Sequence, residues 1–170
     1  SGASAVFFVT KIDPSQRTLI YSTFVTDTGR TAKPTDWRAE WGLGHIAGLA
    51  VDGAGRACIV GGTSLTDYPV VRPVQATLRG ESDGFVTQLD PTGSSLTFST
   101  YLGGSGLDDF EDVAVDAKGN VFVTGLTQST DFPLVKPLQA SFGGPDYDIV
   151  VLKLTPQAES RKSFSAKYSR

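Results

Sequence analysis

Short apolar stretches alternate with glycine- and proline-bearing turns along the whole chain, and nothing of useful length carries a helical repeat of apolar positions. Three segments end in a D-P or T-P corner: Phe7–Asp13, Phe85–Asp90 and Val150–Thr155. Each is followed by a second strand-like run, at Thr18–Val25, Leu96–Leu102 and Ser163–Tyr168. Two further segments, Leu49–Asp52 and Val113–Asp116, run through turns at Gly53–Arg56 and Ala117–Asn120 into strands at Ala57–Gly61 and Val121–Gly125. Phe85, Thr87 and Leu89 face one way and Val86, Gln88 and Asp90 the other, the two-residue period of a strand. Runs such as AVFFV and IVVL are apolar on both faces, which predicts sheets covered on both sides.

These segments repeat. FVTKIDP at Phe8–Pro14 matches FVTQLDP at Phe85–Pro91, and YSTF at Tyr21–Phe24 matches FSTY at Phe98–Tyr101. AVDGAGRACIVGGTSLTDYP at Ala50–Pro69 matches AVDAKGNVFVTGLTQSTDFP at Ala114–Pro133, and IVVLKLTP at Ile149–Pro156 opens a third copy. Repetition of this kind points to stacked or radial units, each too small to bury its own faces. Four short antiparallel strands per unit is the pattern of propeller blades, and the fold class expected is all-β.

The quoted motifs resemble the seven-bladed beta-propeller repeat (SBBP repeat) family found in large secreted or surface proteins of bacteria. The resemblance spans most of the chain except Thr26–His45 and the last fifteen residues. It implies an extracellular or cell-surface setting and brings no catalytic motif with it. Labelling the strands of a blade A to D from the inside outward, the chain reads C-D, A-B-C-D, A-B-C-D, about two and a half blades. It then divides into a half blade at 1–25, an insertion in the D–A connection at 26–48, and full blades at 49–102 and 113–168. A ring needs about four to eight blades, so a partial propeller is expected. The absence of any methionine and the half-blade start suggest a piece of a longer protein, to be completed by its remaining blades or by other copies of the chain.

Composition narrows the partners. Formal net charge is −3, and the last ten residues hold Arg161, Lys162, Lys167 and Arg170 with no acid, so the rest of the chain is more acidic still. An acidic body is the wrong sign for nucleic acid. No apolar run approaches the roughly 20 residues of a membrane helix, so no membrane insertion is expected. The single cysteine, Cys58, forbids an internal disulfide and suits a buried strand.

Residues present in both copies are expected to serve the blade. Asp13 and Asp90, and Asp52 and Asp116, stand at turns, where an aspartate accepts bonds from nearby backbone N–H groups. The long B–C connections after TDYP and TDFP keep matching register in both copies, as a packed arm would. Two stretches break the repeat. The insertion carries Trp37, Arg38, Glu40, Trp41 and His45, an aromatic and polar set suited to a sugar, peptide or protein surface, or to covering a blade edge. The GGSGLDDFED connection places Asp108, Asp109, Glu111 and Asp112 within five residues, a candidate oxygen cluster for calcium or a solvated loop. No cofactor other than calcium is suggested.

In a four-strand blade the D–A and B–C connections share one rim, so the insertion, the acidic stretch and both arms are expected on one face. Three functions stay open. One is a non-catalytic binding or scaffold module presenting that face to a carbohydrate, peptide or protein. Another is a structural repeat of a larger surface protein. The third is a hydrolase or lyase acting on polysaccharide through those acids.

Overall fold

The computed structural model describes residues 7–25, 44–144, 146–155 and 165–169, the last as backbone only. Among them the regular elements are ten strands: β1 (Phe8–Asp13), β2 (Thr18–Phe24), β3 (Gly44–Val51), β4 (Ala57–Thr63), β5 (Asp83–Leu89), β6 (Leu96–Leu102), β7 (Asp108–Val115), β8 (Val121–Thr127), β9 (Asp148–Thr155) and β10 (Ser165–Ser169). They form a two-stranded pair β1-β2 and two four-stranded sheets, β3-β4-β5-β6 and β7-β8-β9-β10, each an antiparallel meander in chain order. The architecture is all-β, that of a partial propeller.

Two strands start five residues earlier than the alternation predicts. β3 begins at Gly44 and β7 at Asp108, so Gly44–Gly48 leaves the insertion and Asp108–Asp112 leaves the loop. A bulge explains both. Pairing passes from Ile46↔Gly61 to Gly48↔Val60, and from Phe110↔Gly125 to Asp112↔Thr124, leaving Ala47 and Glu111 as extra residues. The extra residue breaks the two-residue period where the sequence is read. Opposite each bulge stands a glycine. A Cβ on Gly61 would collide with the carbonyl oxygen of His45, and one on Gly125 with that of Asp109. The glycine is common to both copies because the bulged backbone occupies that space.

The sheets stack face to face through two cores. Phe7, Val9 and Val25 lie against Ala57, Ile59, Phe85, Leu89 and Tyr101, with the Phe7 and Phe85 rings stacked 5.9 Å apart. Cys58, Val60, Val86, Phe98 and Leu102 lie against Val113, Val121, Val123, Val150, Leu152 and Leu154. The Phe110 ring fills the space above Gly84, where a Cβ would be 2.6 Å from it. Each fully buried side chain of this size contributes roughly 1.5–3 kcal/mol, so the interfaces between blades hold the molecule together. Cys58 is free and inert within the second core, its thiol pushed up to about 12 by burial.

The β4–β5 arm packs on its own blade. The Tyr101 hydroxyl donates to the Leu65 carbonyl (2.6 Å) and accepts from the Tyr68 N–H (2.8 Å). Val71 and Gln75 then bridge to Ser99 and Tyr101, covering the outer edge of β6. The arm closes on Asp83, whose carboxylate accepts from Gln75 Nε2, Arg79 N and Gly80 N. In the other blade, Gly143 N donates to Asp148 in the same manner.

Candidate functional site

The corner aspartates act on their own turns. Asp52 Oδ1 accepts from Ala54 N and Arg56 N, both at 2.9 Å, while Oδ2 accepts from Arg56 Nε at 2.7 Å. Asp116 does the same with Lys118 N, Asn120 N and Asn120 Nδ2. Asp13 and Asp90 accept from the N–H groups two residues on, at Ser15 and Thr92. Asp13 and Asp116 are held below the ordinary carboxylate value, chiefly by the Ser15 hydroxyl and the Asn120 amide.

The four acids of the D–A stretch separate once they are placed on β7. Asp108 is buried and saturated: it accepts from the Thr127 hydroxyl, from Ser129 Oγ at 2.7 Å and from Gly104 N at 2.7 Å. Burial pushes its carboxyl upward, as it does for Asp83 on the other side of Gly103. Asp112 is exposed and its Oδ1 accepts from Val113 N at 2.8 Å; Glu111 is the exposed bulge residue. Among the described residues no three of His, Cys, Asp and Glu are grouped so as to hold a metal ion. Asp108, Asp109, Glu111 and Asp112, expected in a loop, thus lie on a strand, whose alternation sends Asp108 and Asp109 to opposite sides.

Asp109 is different. Its Oδ2 lies 3.4 Å from His45 Nε2, an ion pair whenever the imidazole is protonated. Its Oδ1 is buried and has no hydrogen-bond partner among the described residues; it packs over Gly62, where a Cβ would be 2.6 Å away. Burial pushes the carboxyl up to about 6, with His45 opposing that shift and Glu111 reinforcing it. A buried carboxyl oxygen without a partner beside an imidazole offers hydrogen-bonding capacity to a bound group.

The repeat puts this pair together. β3 pairs His45 with Gly62 and β7 pairs Asp109 with Leu126, so the two residues occupy the same position in successive inner strands. Aligning the blades by their bulges would have found it, because His45 and Asp109 stand one place from Ile46 and Phe110 respectively. The pair lies next to the strand ends that enter the arms, Gly44↔Thr63 and Asp108↔Thr127. The D–A connection of the second blade closes the same rim, with Ser105 N and Oγ donating to Asp131 in the arm and Gly106 N to Ser129. His45, expected within the insertion, is thus a strand residue. Trp37, Arg38, Glu40 and Trp41 lie outside the described residues.

No curated protein matches the chain. A family model does: residues 97–133 match SBBP, described as a beta-propeller repeat. The matched segment runs from the outermost strand of one blade, β6, through the two inner strands of the next, β7 and β8, to the start of its arm. It spans the junction between blades, where Phe110 and the bulge sit, and this junction occurs twice. It is over residues 97–133 that the sequence matches the SBBP beta-propeller repeat.

Proposed function

We propose that this repeat module is a non-catalytic binding or scaffold unit, acting at the cell surface or outside the cell. Its contact face is the rim shared by the arms and the D–A connections, and its partner is a carbohydrate, peptide or protein. The observation that carries this reading is the His45–Asp109 pair at that rim, with one carboxylate oxygen unsatisfied beside an imidazole 3.4 Å away. Polar groups kept desolvated and unpaired are costly to the fold. A bound hydroxyl, amide or ammonium would satisfy this one. The chemistry of 26–43, rich in tryptophan and arginine, supports the same face as a contact for sugar rings or peptide side chains. The family resemblance supports the placement outside the cell.

Glycan and peptide arrays probed with the full chain test this directly. Binding is expected to fall at least tenfold in Trp37→Ala/Trp41→Ala and to weaken in Asp109→Asn, with the circular dichroism spectrum unchanged. Undiminished binding by the tryptophan double variant would take the insertion out of the site. An empty array would leave the scaffold role alone.

A further inference from the structure

The contact between sheets in this chain has a direction. Each sheet has a front face, turned toward the element before it, and a trailing face, turned toward the next. Phe7, Val9 and Val25 form the trailing face of β1-β2 and cover the front face of β3–β6, with Phe7 stacked on Phe85. Cys58, Val60, Val86, Phe98 and Leu102 form the trailing face of β3–β6 and cover the front face of β7–β10.

One face of each kind remains exposed. The front face of β1-β2 presents Phe8 (63% exposed), Ile12, Leu19 and Phe24 (73%). These hold the repeat positions of Phe85, Leu89, Leu96 and Tyr101, of which Phe85, Leu89 and Tyr101 are buried in the next sheet. The trailing face of β7–β10 presents Ile149 (67% exposed), with Leu126 half-buried opposite it and Phe122 half-buried further along the same face, opposite Lys153. Ile149 holds the repeat position of Phe7 and Gly84. Four large apolar side chains on one face of a short hairpin make a patch rather than scattered exposure.

We propose that these two faces dock on each other between copies of the chain. The β7–β10 trailing face of one copy lies on the β1-β2 front face of a second, and Ile149 rests on Phe8 as Phe7 rests on Phe85. The partner follows from the contact already present twice within the chain, which pairs a trailing face with a front face each time. Side-chain size agrees with it. Gly84 is small because Phe110, on the inner strand of the next sheet, occupies its space. Phe7 is large where the facing inner strand offers Ile46. Ile149 is also large, and among the described residues β1 and β2 form a two-stranded sheet, without an inner strand in the place that Phe110 takes over Gly84. The contact is head-to-tail, so a pair of copies keeps one free face of each kind and association is open-ended unless the ring closes.

Sedimentation velocity of the full chain over a wide concentration range tests this. The wild-type mass is expected to rise with concentration. Phe8→Asp and Ile149→Asp are each expected to be monomeric, because each loses one half of the contact. Their equimolar mixture is expected to form a one-to-one dimer and nothing larger, since each variant keeps the face the other lacks. Both side chains are exposed, so folding is preserved; if Phe8→Asp unfolds, Phe24→Ser replaces it in the same mixture. A wild-type monomer at every concentration overturns the proposal, and so does self-association of either variant alone or a mixture that stays monomeric. The faces would then belong against further blades of a longer polypeptide. None of these outcomes touches ligand binding at the rim, which is read by a separate assay.

Discussion

At one place in the repeat, the β3–β6 blade holds Tyr68 and Thr87, and the β7–β10 blade holds Phe132 and Leu152. All four are buried. In the first blade the Tyr68 hydroxyl bonds Thr87 Oγ1 at 2.7 Å, Thr87 bonds Ser99 at 2.8 Å, and Ser99 donates to the Pro69 carbonyl at 2.6 Å. In the second, both members of the leading pair are hydrocarbon. The same pair of positions has been filled once by two hydroxyls bonded to each other and once by hydrocarbon. What neither blade shows is the mixed case, a hydroxyl facing a leucine. A buried hydroxyl contributes little when paired and costs about 1–3 kcal/mol when left alone. Substitution at these positions therefore has to come in pairs.

The comparison breaks most severely at the junction between the blades. Phe110 is fully buried over Gly84, while its counterpart Ile46 is only partly buried against the first core. Phe110→Ala is expected to cost about 3–5 kcal/mol and Ile46→Ala distinctly less. Urea denaturation followed by fluorescence gives both values from the shift of the midpoint. Equal losses would mean that the two junctions are equivalent in strength.

Next in size is the polar chain itself. Tyr68→Phe is expected to cost about 1–1.5 kcal/mol by removing one bond, and Thr87→Val somewhat more because it strips Tyr68 and Ser99 together. The double variant, which imitates the other blade, is expected to cost less than the sum, with a coupling of at least about 0.5 kcal/mol. Additive losses would show that the chain is not a unit.

What the sequence made legible and what it hid divide along physical lines. Strands such as β5 and β8 were readable because alternation and bounding turns are local signals, and the Asp corners because their partners lie two to four residues away. The first halves of β3 and β7 were not readable. A bulge adds one residue and shifts the alternation, and DDFED then resembles a polar loop. The same shift is why four carboxylates of a strand read as belonging to a connection. His45 and Asp109 are far apart in sequence, and only the register of two inner strands brings them to 3.4 Å. Among the residues outside those described, the two tryptophans keep their chemical argument without a geometric one.

That His–Asp pair gives the smallest and most specific difference between equivalent positions, and pH reads it. Asp109 is raised from 3.8 to about 6, so the folded chain holds its proton more tightly than the unfolded chain does. Stability on this account is fully present below about pH 4 and falls as pH rises toward about 6, above which the loss is constant. Asp83 and Asp108, also raised by burial, act in the same direction. Asp13 and Asp116, which are lowered, act in the opposite one and lose their contribution as pH falls below 4. A maximum in mildly acidic solution follows. Asp109→Asn is expected to make the fall between pH 4 and pH 6 shallower, by about 1 kcal/mol, because a side chain 36% exposed is partly screened by water. His45→Ala should steepen the same limb, since it removes the side chain that opposes the upward shift of Asp109 and leaves Glu111, which reinforces it. Melting temperatures of the three proteins at half-unit pH steps measure both. If the wild type and Asp109→Asn run parallel from pH 4 to pH 7, the carboxyl is ionised like any surface acid and the rim loses its one unusual group.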